Sequence, residues 1–436
     1  MCKARDRVFL FLQGPHGPFF QRLAGALARQ NATVMRVAFN AADAAEWGRA
    51  GRILRFNDTI DVFADWLGQR IDAHGVTDVV LYGDTRTIHA DAIKVAQSKG
   101  VQTHCFEEGY LRPNWITYER HGTNGNSYLM DISLPRMAQA LGQGNRPAGE
   151  SLATWGDARE HLWYSAVYHF RCLLPSRRYG NYRSHRDIPL KREAELYLRR
   201  YLKLPWIWLR RSIQQWWLLR SDKIFHLALL QLSFDASMKV HSDYKSTAAF
   251  VEQVLEAFAE GAEPDEYLVL KAHPFEDGRE RLGSVIRELA RDIDVSNRVI
   301  FLDGGKRLAS LLDRARSAIT VNSTSAQQAL WRGLPVAALG RAIYRKPGLV
   351  SEQTLVDFIR HPRRPDLRSY WLFRQFMVQT SQLTGSFYAR RGVDEVLLRL
   401  PKLMLDSTEP YEKVLDQTPS EGEVLSVHRP TLVFAS

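Results

Sequence analysis

Apolar and polar positions along the chain follow two rhythms, and the switches between them mark the elements. Short apolar runs at residues 7–13, 32–39, 78–82 and 101–106 have the length of buried strands. Between them, residues 19–29, 60–73 and 89–99 carry apolar positions at helical spacing, and Gly14-Pro15-His16-Gly17-Pro18 breaks the first run from the first helix. Strands alternating with helices predict a parallel sheet, so residues 1–162 read as a Rossmann-like α/β domain. The rhythm fails over 163–223, which is punctuated by Pro175, Pro189 and Pro205, and returns at residue 224. Strands are predicted there at 224–232, 267–271, 298–302, 317–321 and 336–339, with helices at 247–259, 279–289, 308–315 and 325–332. These make a second Rossmann-like domain over 224–350. Helical periodicity at 370–384 and 393–404 predicts C-terminal helices over 351–405 that can cross back, and 406–436 reads as a polar, loosely held tail. Two Rossmann-like domains facing a cleft, with a helical C-terminus, are the GT-B plan of α/β glycosyltransferases.

Composition adds an expected partner. With 436 residues, 45% hydrophobic and 25% charged, the chain is long enough for two globular cores. No run reaches the roughly 18–20 apolar residues of a spanning helix, and the first residues lack the apolar stretch of a leader, so a cytoplasmic protein is expected. Cys2, Cys105 and Cys172 are far apart and read as unpaired thiols. The net charge of +11 asks for an anionic partner. Much of it falls in the 163–223 insertion, beside Trp206, Trp208, Trp216 and Trp217. Tryptophan among Arg and Lys suits a peripheral contact with an anionic membrane surface. Single-stranded nucleic acid would suit the same composition, but no other part of the chain resembles a nucleic-acid module, so no nucleic-acid partner is expected. A basic insertion that packs its tryptophans inward is the plain structural alternative.

Candidate chemistry collects where strands end, because ligands of open α/β sheets bind there. Glu107-Glu108-Gly109 follows the fourth run; adjacent carboxylates repel, which suits one of them to proton transfer. Arg112, three residues on, can pair with a substrate carboxylate. Lys271-Ala272-His273-Pro274 offers a cationic pair for a phosphate at the expected point of the second domain. Asn322-Ser323-Thr324-Ser325 precedes a helix, where such residues serve as N-caps and also as a phosphate cradle. Gln13, Gly14 and His16 form a rigid turn that either touches the acceptor or sugar or fixes the strand–helix angle; its prolines argue against a dinucleotide cofactor. Asp235, after Gln231 and before Ser237, stands where the domains should face each other. It can attack an anomeric carbon or hold a sugar hydroxyl, or serve as a loop carboxylate. No DxD metal motif ends a suitable strand, and neither a metal nor a cofactor is expected.

Taken together, Phe11-Leu12-Gln13-Gly14-Pro15-His16-Gly17-Pro18, Glu107-Glu108-Gly109-Tyr110-Leu111-Arg112-Pro113, Asn322-Ser323-Thr324-Ser325-Ala326 and Gly333-Leu334-Pro335-Val336 resemble the KpsS-type capsule polysaccharide proteins. The resemblance implies a β-Kdo glycosyltransferase of Gram-negative bacteria, peripheral on the inner membrane. Its donor would be CMP-Kdo and its acceptor an anionic lipid, (lyso)phosphatidylglycerol, that starts the linker of a capsule polysaccharide. Other capsule biosynthesis or export proteins become expected partners. An acid-acid-Gly, His-Pro and Ser/Thr pattern is shared with bacterial sialyltransferases, where the acids move the proton and the others hold CMP. Carried over, Glu107 and Glu108 are acid/base candidates, while His273, Ser323, Thr324 and Ser325 are CMP-binding candidates. Asp235 best matches the carboxylate nucleophile of a retaining enzyme. Two alternatives stay open: an inverting, sialyltransferase-like enzyme, and a non-catalytic factor that hands capsule glycolipid to a transporter.

Overall fold

The computed structural model describes residues 4–142, 158–173, 177–180, 190–232, 236–274, 276, 278–305 and 307–416. The first domain contains β1 (Val8–Phe11), β2 (Thr33–Ala38), β3 (Arg52–Arg55), β4 (Asp78–Tyr82), β5 (Gln102–Glu108) and β6 (Trp115–Arg120). The second contains β7 (Phe225–Leu229), β8 (Tyr267–Lys271), β9 (Val299–Leu302), β10 (Ser317–Thr320) and β11 (Val336–Ala338). A last strand, β12 (Gln382–Thr384), returns to the first domain and pairs antiparallel with β6.

The first sheet runs β12-β6-β5-β4-β1-β2-β3, and β3-β2-β1-β4-β5 are mutually parallel. The second sheet, β11-β10-β7-β8-β9, is parallel throughout. Counted within each domain, both have the Rossmann order 3-2-1-4-5, with the strand order reversing beside β1 and beside β7. Two such domains and a returning C-terminus give the GT-B architecture.

Central strands are apolar on both faces because helices cover both. Phe9, Leu10 and Phe11 of β1 are fully buried, Leu10 on one side and Phe9 and Phe11 on the other. The helix Arg390–Leu405 crosses back onto the Phe9/Phe11 face and buries Val393, Val396, Leu400 and Met404 there. Burial of each such side chain is worth about 1.5–3 kcal/mol, enough to hold the C-terminal segment in place.

The structure departs from the periodicity in a few places. The first sheet is mixed, since β6 and β12 are antiparallel. β3, β6 and β12 have no strand signal: β12 is three residues long and continues an apolar helical pattern, while β6 contains Glu119 and Arg120. Those two are buried with partners, from residues flanking β6 and from the C-terminal segment. Glu119 accepts from Tyr110, Ser127 and Tyr411, and Arg120 donates to the carbonyls of Leu403 and Asp406. Tyr411 belongs to the helix Pro410–Leu415, so the stretch expected as a loose tail begins with a packed turn. In the insertion, the helix Ala158–Leu173 runs across position 162, and Leu190–Arg220 is one long helix with Pro205 inside it.

Candidate active site

Both sheets present their strand ends at the places where strand order reverses. In the second domain, β7 and β10 are stitched together there. Gln231 Nε2 donates to Asn322 Oδ1 at 2.8 Å, and the Asn322 N–H donates back to Gln231 Oε1 at 3.0 Å. Asn322 Nδ2 also reaches the His241 carbonyl. Asn322 therefore positions the loop that follows β10. Within that loop the Ser323 hydroxyl accepts from the Ser325 N–H, and the Ser323 carbonyl accepts from Tyr344 at 2.7 Å. Ser325 occupies the N-cap of the helix Ala326–Trp331, yet its side chain makes no capping bond. Ser323, Thr324 and Ser325 are half-buried, so their hydroxyls line the loop beside the cleft.

Lys271 ends β8, and His273 follows two residues later. Burial, with Arg211 of the long helix nearby, lowers the Lys271 ammonium to about 8. Burial, then the charges of Arg112 and Lys271, lowers His273 to about 4. The expected cationic pair is thus a lysine beside a neutral histidine. A neutral imidazole still donates one N–H to a phosphate oxygen, and a bound phosphate would favour its protonation.

On the other side, Glu107 and Glu108 lie inside β5 rather than after it, paired across from Thr117 and Ile116 of β6. Alternation along the strand points them to opposite faces. Glu107 Oε1 accepts the Glu108 N–H at 3.0 Å. Glu108 Oε1 accepts from Tyr82, at 3.1 Å, and from Tyr388, at 3.0 Å. The Tyr388 ring stacks on His161 with centroids 4.2 Å apart. Burial and the Glu108 charge push both phenols well above their usual range, so they remain hydrogen-bond donors to the carboxylate. Gly109 is required by close approach: a Cβ there would lie 2.3 Å from the Trp115 carbonyl oxygen. Arg112 Nε donates to the Gly109 carbonyl, and the exposed guanidinium lies close enough to lower His273. Arg112, in the turn that follows the acid strand, is thus the residue of the first domain whose charge reaches the His-Pro loop of the second.

The junction beside that cleft is tightly built. Arg341 donates to the Gly125 carbonyl at 2.8 Å, and Lys346 donates to the Leu129 and Ile132 carbonyls, each at 2.7 Å. Gly125 lies against the His241 ring, where a Cβ would approach within 2.4 Å.

The first-strand turn is occupied by packing contacts. Gln13 is buried and donates to Asp43 and to the Tyr168 hydroxyl, His16 stacks on Tyr168 with centroids 4.3 Å apart, and a Cβ on Gly14 would strike Phe20. This turn docks the helix Ala158–Leu173 onto the first domain. Asp235 lies outside the described residues. The sequence alone does not reveal Tyr82, His161, Arg211 or Tyr388 as neighbours of the site. Tyr82 ends an expected strand and was locally findable, whereas Tyr388 is 280 positions from Glu108.

The model of the family described as "Capsule polysaccharide biosynthesis protein" matches residues 77–388, well over half of the chain. This chain belongs to that family. The match begins at β4, ends at Tyr388, and so takes in both acids, Lys271, His273 and the 322–325 loop. Among relatives, the chain is 29% identical over 387 residues to the capsule polysaccharide export protein KpsS of Escherichia coli, covering 87% of this chain and 96% of that protein. It is 31% identical over 391 residues to the capsule polysaccharide modification protein LipB of Neisseria meningitidis serogroup B, covering 87% and 91%. Among solved structures it is similar to the Thermosulfurimonas dismutans KpsC β-Kdo 2,7 transferase, at 17% identity and TM-score 0.46, covering 90% of this chain and 99% of that one. A glycosyltransferase from Rickettsia africae matches at 9% identity and TM-score 0.35, covering 94% and 99%. Among the described residues no helix is long and apolar enough to cross a membrane.

Proposed function

We propose that this capsule family member is a β-Kdo glycosyltransferase. It moves Kdo from CMP-Kdo to a (lyso)phosphatidylglycerol acceptor at the inner membrane surface, where it works beside other capsule proteins. The observation that carries the reading is that Arg112, bonded to the Gly109 carbonyl just after the acid strand, lies close enough to His273 of the second domain for its charge to lower that imidazole. That proximity supports a site with a proton-handling end on the first domain and a phosphate-handling end on the second.

In this reading His273, Lys271 and the Ser323–Ser325 hydroxyls hold the CMP phosphate and stabilise its departure. Arg112 pairs with the Kdo carboxylate. Asp235 attacks the anomeric carbon as the bond to the CMP phosphate breaks. The acceptor hydroxyl, losing its proton to Glu108, then displaces Asp235, and the anomeric configuration is retained. Tyr82 and Tyr388 fix the Glu108 carboxylate for that transfer, with Glu107 as the neighbouring acid. The same hydrogen-bonded Glu108 supports a second reading, a single inverting displacement with Glu108 as base, as in the sialyltransferase-like alternative.

The test is a pair of variants, Glu108→Ala and Asp235→Ala. Loss of transfer in both by at least about a hundredfold, with CMP binding intact, is expected of a retaining enzyme. Loss only in Glu108→Ala favours the inverting step. Unchanged glycolipid handling in both, without turnover, belongs to a non-catalytic assembly factor.

A further inference from the structure

The long helix Leu190–Arg220 is far larger than a link between domains requires: at 1.5 Å per residue it runs about 46 Å. Its inner edge seats on the second domain, where Leu218 is buried, Arg200 pairs with Asp303 at 2.7 Å, and Arg211 donates to the Asp303 carbonyl. Between it and the helix Leu282–Asp292 lies a groove of about 1030 Å³. Nine basic and three acidic residues line this groove, among them Arg199, Lys203 and Arg210 on the long helix and Arg281 and Arg287 opposite.

A second feature borders the groove. Leu202, Trp206, Leu209, Ile213 and Trp216 recur at spacings of four and three, so they form one stripe on the helix. All five are 43–75% exposed. Arg220 lies over the Trp216 ring at 5.1 Å. The helix Ala158–Leu173 carries its own exposed apolar set, Leu162, Trp163, Phe170 and Leu173.

We infer that the long helix is a membrane-docking element: its Leu/Trp stripe lies at the interface of an anionic bilayer, and the arginine groove receives the headgroup phosphates. A water-soluble anion would use the groove but has no need of an apolar stripe beside it. A second copy of the chain packed along the stripe would bring two arginine-rich flanks together, the arrangement that charge pairing beside a heptad stripe avoids. Anionic lipid satisfies both features at once, because arginine meets phosphate while tryptophan fills the headgroup–acyl boundary. The groove adjoins the donor site, since Arg211 reaches both Asp303 and the surroundings of Lys271. Docking would thus bring the catalytic cleft to its acceptor, and to that extent the inference rests on the lipid-acceptor reading.

The test is co-sedimentation of the full chain, without any donor, with phosphatidylcholine vesicles that contain or lack phosphatidylglycerol. Binding is expected to be at least about tenfold tighter with phosphatidylglycerol. The double variant Arg210→Glu/Arg287→Glu should lose that difference, whereas Arg210→Lys/Arg287→Lys should keep it. Trp206→Ser/Trp216→Ser should weaken binding with melting temperature unchanged. Binding that ignores charge reversal overturns the inference, as does a dimer that the tryptophan variant dissociates, or a preference for single-stranded DNA over vesicles. Vesicle binding without any Kdo transfer leaves docking intact and sinks the transferase. Transfer to a soluble short-chain acceptor without phosphatidylglycerol-dependent binding sinks docking alone.

Discussion

His273 enters the cleft as a neutral imidazole because it is buried near Arg112 and Lys271, and that state makes its chemistry measurable. A phosphate placed beside it supplies the missing negative charge and raises its pKa from about 4. Donor binding should then take up a proton, so CMP affinity should increase as pH falls from 7 towards 5. Isothermal titration across that range measures it. The variant His273→Ala should lose roughly 10- to 100-fold in affinity, the worth of one hydrogen bond to a charged group, together with most of the pH dependence. Flat affinity in the parent protein would remove His273 from the phosphate site. The polar identity of this residue is legible in the sequence. Its charge state is not, because that depends first on burial and then on Arg112, both of which only folding supplies.

At the scale of elements, the C-terminal segment ties the molecule together through β6. Glu119 is fully buried and accepts from Tyr110, Ser127 and Tyr411, yet burial outweighs those donors and raises its carboxyl to about 7. A carboxyl whose folded pKa exceeds its unfolded one contributes stability at acid pH and loses it as pH rises, here between about 4.5 and 7. The span corresponds to a contribution on the order of 3 kcal/mol. Melting temperatures from pH 5 to 8 should therefore fall more steeply in the parent protein than in Glu119→Gln; equal slopes would contradict the assignment. This also explains which elements the periodicity exposes. Central strands such as β1 and β8 are apolar on their own account. β6 and β12 exist because residues 380–416 return to cover polar side chains, and no local pattern announces that partnership. Tyr388 shares the problem: its link to Glu108 is made by the same return.

For the whole molecule, much of the plan is written in local signals. Two runs of alternating strands and helices specify two domains, and polar islands at their strand ends mark where a cleft should be lined. The islands then separate: Arg112 comes close enough for its charge to act on His273, whereas Gln13 and His16 pack on Tyr168 of the helix Ala158–Leu173. The Gln-Gly-Pro-His turn reads alike for either purpose, because a rigid strand-end loop is needed both to meet a ligand and to receive a helix. The basic, tryptophan-rich insertion is conspicuous in composition, but only its long helix reveals which residues line the groove and which form the exposed stripe.

The Kdo transfer proposed for this protein can be measured by incubating the purified full chain with CMP-Kdo and a fluorescent lyso-phosphatidylglycerol and weighing the lipid product by mass spectrometry. A product heavier by one Kdo, formed with release of CMP, is expected. An unmodified acceptor, with CMP-sialic acid and longer-chain acceptors equally silent, would contradict it.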